Sequence, residues 1–335
     1  MGTSKIKTFM TAPLVSIIIP TYNVQDYIEE CINSALNQTY PYIEIIIVDN
    51  NSTDQTAEKV VQLQKQFPQK IFLLFEEKQG ASFARNKGIK NSNGQWIQFL
   101  DADDLLYADK LERQLKLINA STSIPMMIAG VYHHLSEDKK IQEVPLINKG
   151  QDPYKSIAAS LLGHLDSNLF HTDALTRIKG FNETLKVGED TDMIFRILCF
   201  NGSESIVYDF TPSAVYRQRN FGQLTKVDPM IINAEGLKVR LSILELLKSV
   251  SPDYFQKNAD YFIEYVYYFI YRIGIYDIEN AYSLYVKYLG RFYTPKWNSE
   301  VISWYHTAFL NVLGFRNLMK CRQWLKTIFI KTKVE

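Results

Sequence analysis

Four apolar runs recur over residues 15–104, at 15–19, 43–48, 71–75 and 95–100, and each gives way to polar residues. A largely apolar run, as opposed to a strictly alternating one, marks a strand buried on both faces, as in a parallel sheet. The intervening segments carry helical spacing. Over 25–37, Tyr27, Ile28, Cys31, Ile32, Ala35 and Leu36 share one side. Residues 56–66 follow N-cap candidates at Ser52, Thr53 and Asp54, and Gly80-Ala81-Ser82 opens a helix carrying Arg85 and Asn86. This β-α-β-α-β-α-β alternation predicts an α/β/α sandwich around a mostly parallel sheet.

Ligands of such sheets sit outside the carboxyl ends of the strands. Three of those ends read Pro20-Thr21-Tyr22-Asn23, Asp49-Asn50-Asn51 and Asp101-Ala102-Asp103-Asp104. All are polar, and they converge on one edge. Burying unpaired charge costs several kcal/mol, so the acids after Leu100 belong just past the strand, facing something positive. An Asp-x-Asp pair there offers oxygens to Mg²⁺ or Mn²⁺, ions commonly shared with substrate phosphates. The competing reading makes Asp103 or Asp104 the N-cap of a helix through Leu105-Leu106. No G-x-G-x-x-G follows the first strand, which disfavours a dinucleotide-binding fold.

Bulk properties narrow the class. With 37 Lys and Arg against 36 Asp and Glu, the chain has no overall nucleic-acid footprint. Cys31, Cys199 and Cys321 form no C-x-x-C pair, which fits a reducing, cytoplasmic setting and no zinc site. Residues 1–12 lack the apolar core of a signal peptide. No uncharged apolar run reaches the ~18 residues of a membrane span; residues 261–276 come nearest, interrupted by Glu264 and Arg272.

Beyond Asp104 the spacing predicts a helix over 108–119, a strand over 126–134, a helix over 153–162, an edge strand at 168–170 and a last strand over 207–217. Glu189, Asp190 and Asp192 open the helix that runs to Phe200. Acids in a first turn suit the helix dipole, yet three in four positions exceed what capping needs. From residue 221 the composition changes to a helical bundle, with Tyr261, Tyr265, Tyr268 and Tyr271, and Phe262, Val266 and Phe269 beside them, as an aromatic core. The basic tail 316–333 interleaves cations with Leu318, Trp324 and Ile328, a pattern that suits either an anionic membrane surface or a solvated face. The chain thus divides into a tail (1–13), an α/β domain (14–220) and a helical domain (221–335). The last is open to three roles: a homodimer contact, peripheral docking at the inner face of the plasma membrane, or shaping of a substrate site.

The stretches VSIIIPTYN (15–23), IVDNNSTD (47–54), ARNKGI (84–89), IQFLDADD (97–104) and GEDTD (188–192) resemble, in order and spacing, the family 2 glycosyltransferases over about residues 14–217. The resemblance implies a GT-A fold, a nucleotide-sugar donor, Mn²⁺ or Mg²⁺ and inversion at the anomeric carbon. It assigns Pro20, Thr21, Tyr22, Asp49, Asn50, Arg85, Asp101 and Ala102 to the nucleotide, and Asp103 to the metal. It makes Asp190 the catalytic base, with Glu189 and Asp192 on the acceptor side, where His164 and Asp166 also fall. Asn50 replaces a second acid of the family pattern; its amide oxygen can still accept from a base N–H, and UDP remains the favoured donor nucleotide beside dTDP and GDP. Tyr216-Arg217 is followed by Gln218, Arg219 and Asn220, without the histidine common in the family. Q-x-x-R-W is absent, which favours transfer of a single hexose or N-acetylhexosamine over polymerisation. The implied function is transfer to a glycan or lipid-linked acceptor in polysaccharide biosynthesis. Two rivals are a non-catalytic nucleotide-sugar-binding protein on the same fold and a sugar nucleotidyltransferase; the latter lacks its basic, glycine-rich loop after the first strand.

Overall fold

The computed structural model describes residues 12–121, 123–136, 140–144, 151–218 and 228–331. Nearly all of the expected tail 1–13, together with Arg219, Asn220 and Lys333, lies outside them. In chain order the elements are β1 (Val15–Thr21), α1 (Ile28–Leu36), β2 (Ile43–Asp49), α2 (Thr56–Gln66), β3 (Ile71–Phe75), α3 (Ala81–Lys90), β4 (Trp96–Phe99), β5 (Leu105–Leu106), α4 (Lys110–Ala120), β6 (Met127–Leu135) and β7 (Ile141–Val144). There follow α5 (Pro153–Ala158), β8 (Leu169–His171), α6 (Thr172–Ile178), α7 (Glu189–Asn201), β9 (Ile206–Arg217), α8 (Pro229–Val250), α9 (Pro252–Gly274), α10 (Ile278–Leu289) and α11 (Trp304–Lys331). The chain falls into two compact units: 1–148 with 162–183 and 201–219, and 149–161 with 184–200 and 220–335.

The first unit is built on a nine-stranded sheet of order β3-β2-β1-β4-β8-β6-β9-β5, with β7 on β6. Parallel pairing is confined to β3-β2-β1-β4 and to β6 with β9. The α/β fold expected from the alternation is present, and the sheet turns mixed once β8 enters. Strands β1, β2 and β3 finish level, Thr21 standing opposite Asp49 and Asp49 opposite Phe75, and β4 ends earlier, with Phe99 opposite Ile18. Ile17, Ile19, Ile45, Ile47 and Ile71 are buried, with Ile28, Ile32 and Val60 of the helices packed in the same core.

Two antiparallel pairings position the site. Because β8 runs against β4, with Ile97 opposite Phe170, the residues just before β8 come to lie beside those just after β4. In the same way Leu105 pairs with Val215, which brings the end of β9 to the acidic loop. These pairings correct two expectations. The edge strand expected at 168–170 is instead the central strand β8 (Leu169–His171), between β4 and β6, with Leu169 and Phe170 fully buried. Leu105 and Leu106 form a strand, and the next helix starts at Lys110 behind Asp109, so Asp103 and Asp104 do not cap it.

The second unit is helical, and its C-terminal part, α8 to α11, is helical as expected. Its core centres on the fully buried Tyr267, whose ring neighbours include Tyr285, Phe315 and His306. The buried face of α9 is thus Phe262, Val266, Tyr267, Ile270 and Ile273, whereas Tyr261, Tyr265, Tyr268 and Tyr271 are only half-buried. Glu264, which interrupts the apolar run, is buried because the Lys296 N–H (3.0 Å) and the Ser299 hydroxyl (2.7 Å) donate to its carboxylate.

The first unit also buries a lysine among polar groups. Lys110 is fully buried; its ammonium donates to the Gln98 side chain, to Gln114 Oε1 (2.7 Å) and to the Asn168 carbonyl (3.4 Å). Burial brings its pKa down to about 7. The folded value lies below the unfolded one, so between about pH 7 and 10 the unfolded chain holds a proton that the folded chain has released. Folding stability should therefore rise with pH across that window, by about 2 kcal/mol between pH 7 and 9. Urea unfolding of the wild type and of Lys110→Met at both pH values checks this: the rise is expected in the former and absent from the latter.

Candidate active site

The ends of β1 and β2 are locked to each other. The Asn50 N–H donates to the Thr21 carbonyl (2.9 Å), the Thr21 hydroxyl donates to Asp49 Oδ1 (3.3 Å), and Asp49 Oδ2 accepts from the Ser52 N–H (3.2 Å). Asn23 and Asn51 take left-handed φ of 49° and 67°, a conformation asparagine tolerates better than most residues. The Thr53 N–H then donates to Asn23 Oδ1 (2.8 Å), tying the two loops. Pro20 and Thr21 lie in β1, and Thr21 is buried, whereas Tyr22 is 51% exposed and offers its ring to solvent. Asn50 has a structural task in this fold. Its amide donates to the Glu76 (2.8 Å) and Lys78 (2.7 Å) carbonyls and its Oδ1 accepts from the Gly80 N–H (2.7 Å), so one acceptor lone pair remains. An aspartate there could not donate to those carbonyls.

At the end of β4 the structure gathers Asp101, Asp104, His164 and Asp166. One ligand atom from each lies within 4.8 Å of the others. Asp166 is fully buried; its Oδ1 accepts from the Asp101 N–H (2.9 Å) and its Oδ2 lies 3.1 Å from His164 Nδ1. Burial alone would raise the Asp166 pKa, but the His164 charge, with its hydrogen bond, holds it below the usual carboxylate range. Asp104 moves the other way. Burial, and then the neighbouring Asp166 carboxylate, push it well above that range. Asp104 Oδ2 has no hydrogen-bond partner among the described residues. Two acceptors this close need a proton or a cation between them. Three carboxylates and an imidazole form an oxygen-rich donor set suited to Mn²⁺ or Mg²⁺, so the residues present fit such an ion.

Two arginines border the acids. Arg85, on α3, is 4% exposed and its Nη2 lies 2.7 Å from Asp101 Oδ1, with its guanidinium carbon 5.4 Å from the Phe181 ring centre. Arg217, at the end of β9, donates its backbone N–H to Asp104 Oδ1 (2.7 Å) and its side chain to the Asp103 carbonyl and to Glu30. Asp103 and Ala102 are buried in the same loop, with Asp103 outside the group of four. His164 and Asp166, placed on the acceptor side from the sequence, stand beside Asp101 and Asp104. Neither Asp104 nor Arg217 was singled out as a site residue from the sequence. Asp104 closes one of the stretches that resemble the family and Arg217 stands at the end of the span of the resemblance, but the partner of each is set by β9 crossing to β5.

The second unit carries the other acids. Gly188 takes φ of +80° and its carbonyl accepts from the Asp192 N–H (3.1 Å), turning the chain into α7. Asp190 is partly exposed and its Oδ1 accepts from the Thr191 N–H (2.7 Å). Asp192 is buried in a two-pronged pair with Arg196, at 2.8 Å and 2.7 Å, so its carboxylate is engaged along its own helix. Behind this turn stands Arg240 of α8, 5% exposed. It donates to Ser160 Oγ (2.8 Å), which lies 3.5 Å from the Thr191 hydroxyl, and its guanidinium carbon sits 4.9 Å from the Phe269 ring centre. Burial brings its pKa down to about 10, while Tyr265 and Asp190 pull the other way. No local pattern in the sequence marks Arg240 or Ser160.

Comparison with known proteins fits this geometry. The profile of glycosyl transferase family 2 matches residues 16–184. The chain is 45% identical over 107 residues to TuaG of Bacillus subtilis, named a putative teichuronic acid biosynthesis glycosyltransferase, covering 32% of this chain and 42% of that protein. It is 30% identical over 213 residues to GgaB of the same organism, a minor teichoic acid biosynthesis protein, covering 61% of this chain and 23% of that one. The chain thus spans less than half the length of these two relatives. Among solved structures, residues 1–349 of TarS from S. aureus with UDP-GlcNAc superpose with a TM-score of 0.60 at 16% identity, covering 93% of this chain and 92% of that one. The mannosyltransferase PcManGT of Pyrobaculum calidifontis, with GDP-Man and Mn²⁺, gives 0.53 at 16% identity, covering 94% and 88%. These two likenesses concern the fold. The chain belongs to glycosyl transferase family 2, on a GT-A fold.

A test of the acid-bearing turn follows from its backbone. A Cβ on Gly188 would meet only Val239 Cγ2, at an ordinary 3.4 Å, so the cost of a side chain there is conformational. Gly188→Ala should destabilise by about 1 kcal/mol, and Gly188→Asn by less, since asparagine tolerates a left-handed φ. Thermal unfolding of both variants gives the order.

Proposed function

We propose that this chain transfers one sugar, with inversion, from a UDP-hexose or UDP-N-acetylhexosamine to a glycan or lipid-linked acceptor of a bacterial surface polysaccharide. The observation that carries the reading is the gathering of Asp101, Asp104, His164 and Asp166 at the strand edge where Thr21, Tyr22 and Asp49 also end. The names of TuaG and GgaB support the polysaccharide context, and the ligand of TarS supports UDP. The three cysteines are unpaired, in keeping with a cytoplasmic reaction.

The exposed Tyr22 ring gives the base a surface, and Asp49 and Asn50 hold the loop around it. Arg85 and Arg217 set positive charge beside the diphosphate. Asp103 is the ligand that the family resemblance names for Mn²⁺ or Mg²⁺, and Asp101, Asp104, His164 and Asp166 surround the same loop. When bound, the ion neutralises charge on the departing nucleotide. Asp190 is the base that takes the acceptor hydroxyl's proton as the new C–O bond forms; Glu189 and Asp192 shape its turn.

A screen of sugar nucleotides for release of free nucleotide, with and without Mn²⁺, identifies the donor; release from none of them would overturn the reading. Calorimetry of UDP with Mn²⁺ then tests the acids. Asp103→Ala and Asp104→Asn should each remove the metal-dependent part of the affinity, and unchanged binding in both would overturn the metal assignment. Asp190→Asn should lower kcat by roughly 10²–10⁴-fold while UDP binding persists. Surviving turnover would show that another group is the base.

A further inference from the structure

The last helix of the second unit leaves an apolar face uncovered. Gly314 (φ 69°, ψ 162°) breaks α11, and a Cβ there would meet nothing within 4 Å, so the glycine answers to the backbone alone. In the segment before it, Thr307 and Leu310 are buried and His306 meets the Tyr267 hydroxyl. Tyr305, Phe309 and Val312 follow i, i+4, i+7 spacing, which puts them on the other side of the helix. They are 57%, 57% and 81% exposed, and Trp304 beside them is 65% exposed. A contiguous apolar face of this kind marks an interaction surface, unlike isolated exposed residues.

The charge of the segment indicates what covers that face. Residues 301–334 contain six lysines and arginines and no aspartate or glutamate. The rest of the chain holds 31 cations against 36 acids, so the excess positive charge is concentrated here. Arg316 is paired with Glu279, Arg322 lies 4.7 Å from the Tyr271 ring centre, and Lys320 is exposed. A second copy of the chain would meet this patch with itself in a two-fold contact, setting like charge against like. An anionic bilayer answers both halves of the pattern. Tryptophan and tyrosine favour the interfacial layer, and clustered cations favour anionic headgroups. Among the described residues no helix is long and apolar enough to cross a membrane, so the contact would lie along the surface.

We propose that α11 docks the chain on an anionic lipid bilayer, with Trp304, Tyr305, Phe309 and Val312 entering the interfacial layer and Lys320 and Arg322 meeting the headgroups. The claim stands apart from the sugar-transfer reading and would hold for any donor.

Flotation of the full chain on equimolar phosphatidylcholine and phosphatidylglycerol vesicles, against phosphatidylcholine alone, tests it. The wild type should float with the anionic vesicles only, and less as salt is raised. Trp304→Ser with Phe309→Ser and Val312→Ser should lower the bound fraction at least tenfold, and Lys320→Glu with Arg322→Glu should also lower it. Circular dichroism shows whether these variants fold. Should the triple variant fail to fold, the emission of Trp304 replaces it: a blue shift on anionic vesicles, lost in Trp304→Phe, supports the contact. Absence of flotation by the wild type, equal flotation by the folded triple variant, or an unshifted emission overturns the proposal. So does a wild-type dimer that the triple variant dissolves without any vesicle binding, which would give the face to a second copy.

Discussion

Three carboxylates within a few ångströms cannot all remain ionised in a buried place without positive charge among them. The loop after β4 meets this constraint in three ways at once. His164 partners Asp166, Arg85 partners Asp101, and Asp104 accepts from the Arg217 backbone while its own proton affinity rises. The remaining demand, an Asp104 oxygen facing Asp166 with nothing to donate to it among the described residues, is one that a divalent cation satisfies as well as a proton does. The strands around the loop can be understood as the means of holding these groups at the required spacing.

The support beneath the acids is polar where a core is usually apolar. Gln98 donates to the Asp166 carbonyl (2.8 Å) and accepts from Lys110, and Gln114 Nε2 donates to the Ser167 carbonyl (3.0 Å). Ser167 in turn donates to the Gly130 carbonyl (2.7 Å), and the Gly130 N–H donates to Asn168 Oδ1 (3.0 Å). These bonds fasten the turn that carries Asp166 to β4, α4 and β6. Gly130 has no room for a side chain, because a Cβ would come within 2.1 Å of the Ser167 carbonyl. Buried networks of this kind hold one geometry when every member is satisfied, which suits a site whose chemistry depends on placement.

Much of the first half was legible because its signals are local. The apolar runs at 15–19 and 43–48 could only be buried strands, and the polar residues after them had to collect at one edge. The same local signals misjudged other places. Residues 168–170 look like an edge strand because the run is short, yet the strand is central. Leu105-Leu106 looks like the start of a helix, yet its partner β9 lies more than a hundred residues away. Tyr261, Tyr265, Tyr268 and Tyr271 have a core-like spacing, but the buried face of α9 runs through Tyr267, and only the packing of α10 and α11 decides between neighbouring faces.

The sequence by itself determined the α/β class, the set of acids at the strand ends and the helical character of the C-terminal region, since each follows from short-range periodicity and from where charge can lie next to a strand. Tertiary structure alone decided the company those acids keep. His164 and Asp166 reach Asp101 because β8 runs antiparallel to β4, Arg217 reaches Asp104 because β9 returns to pair with β5, and Arg240 stands behind Thr191 because α8 packs in the same unit as α7. Pairings between segments far apart in the chain depend on strand direction and helix packing, and no local pattern of residue types encodes them.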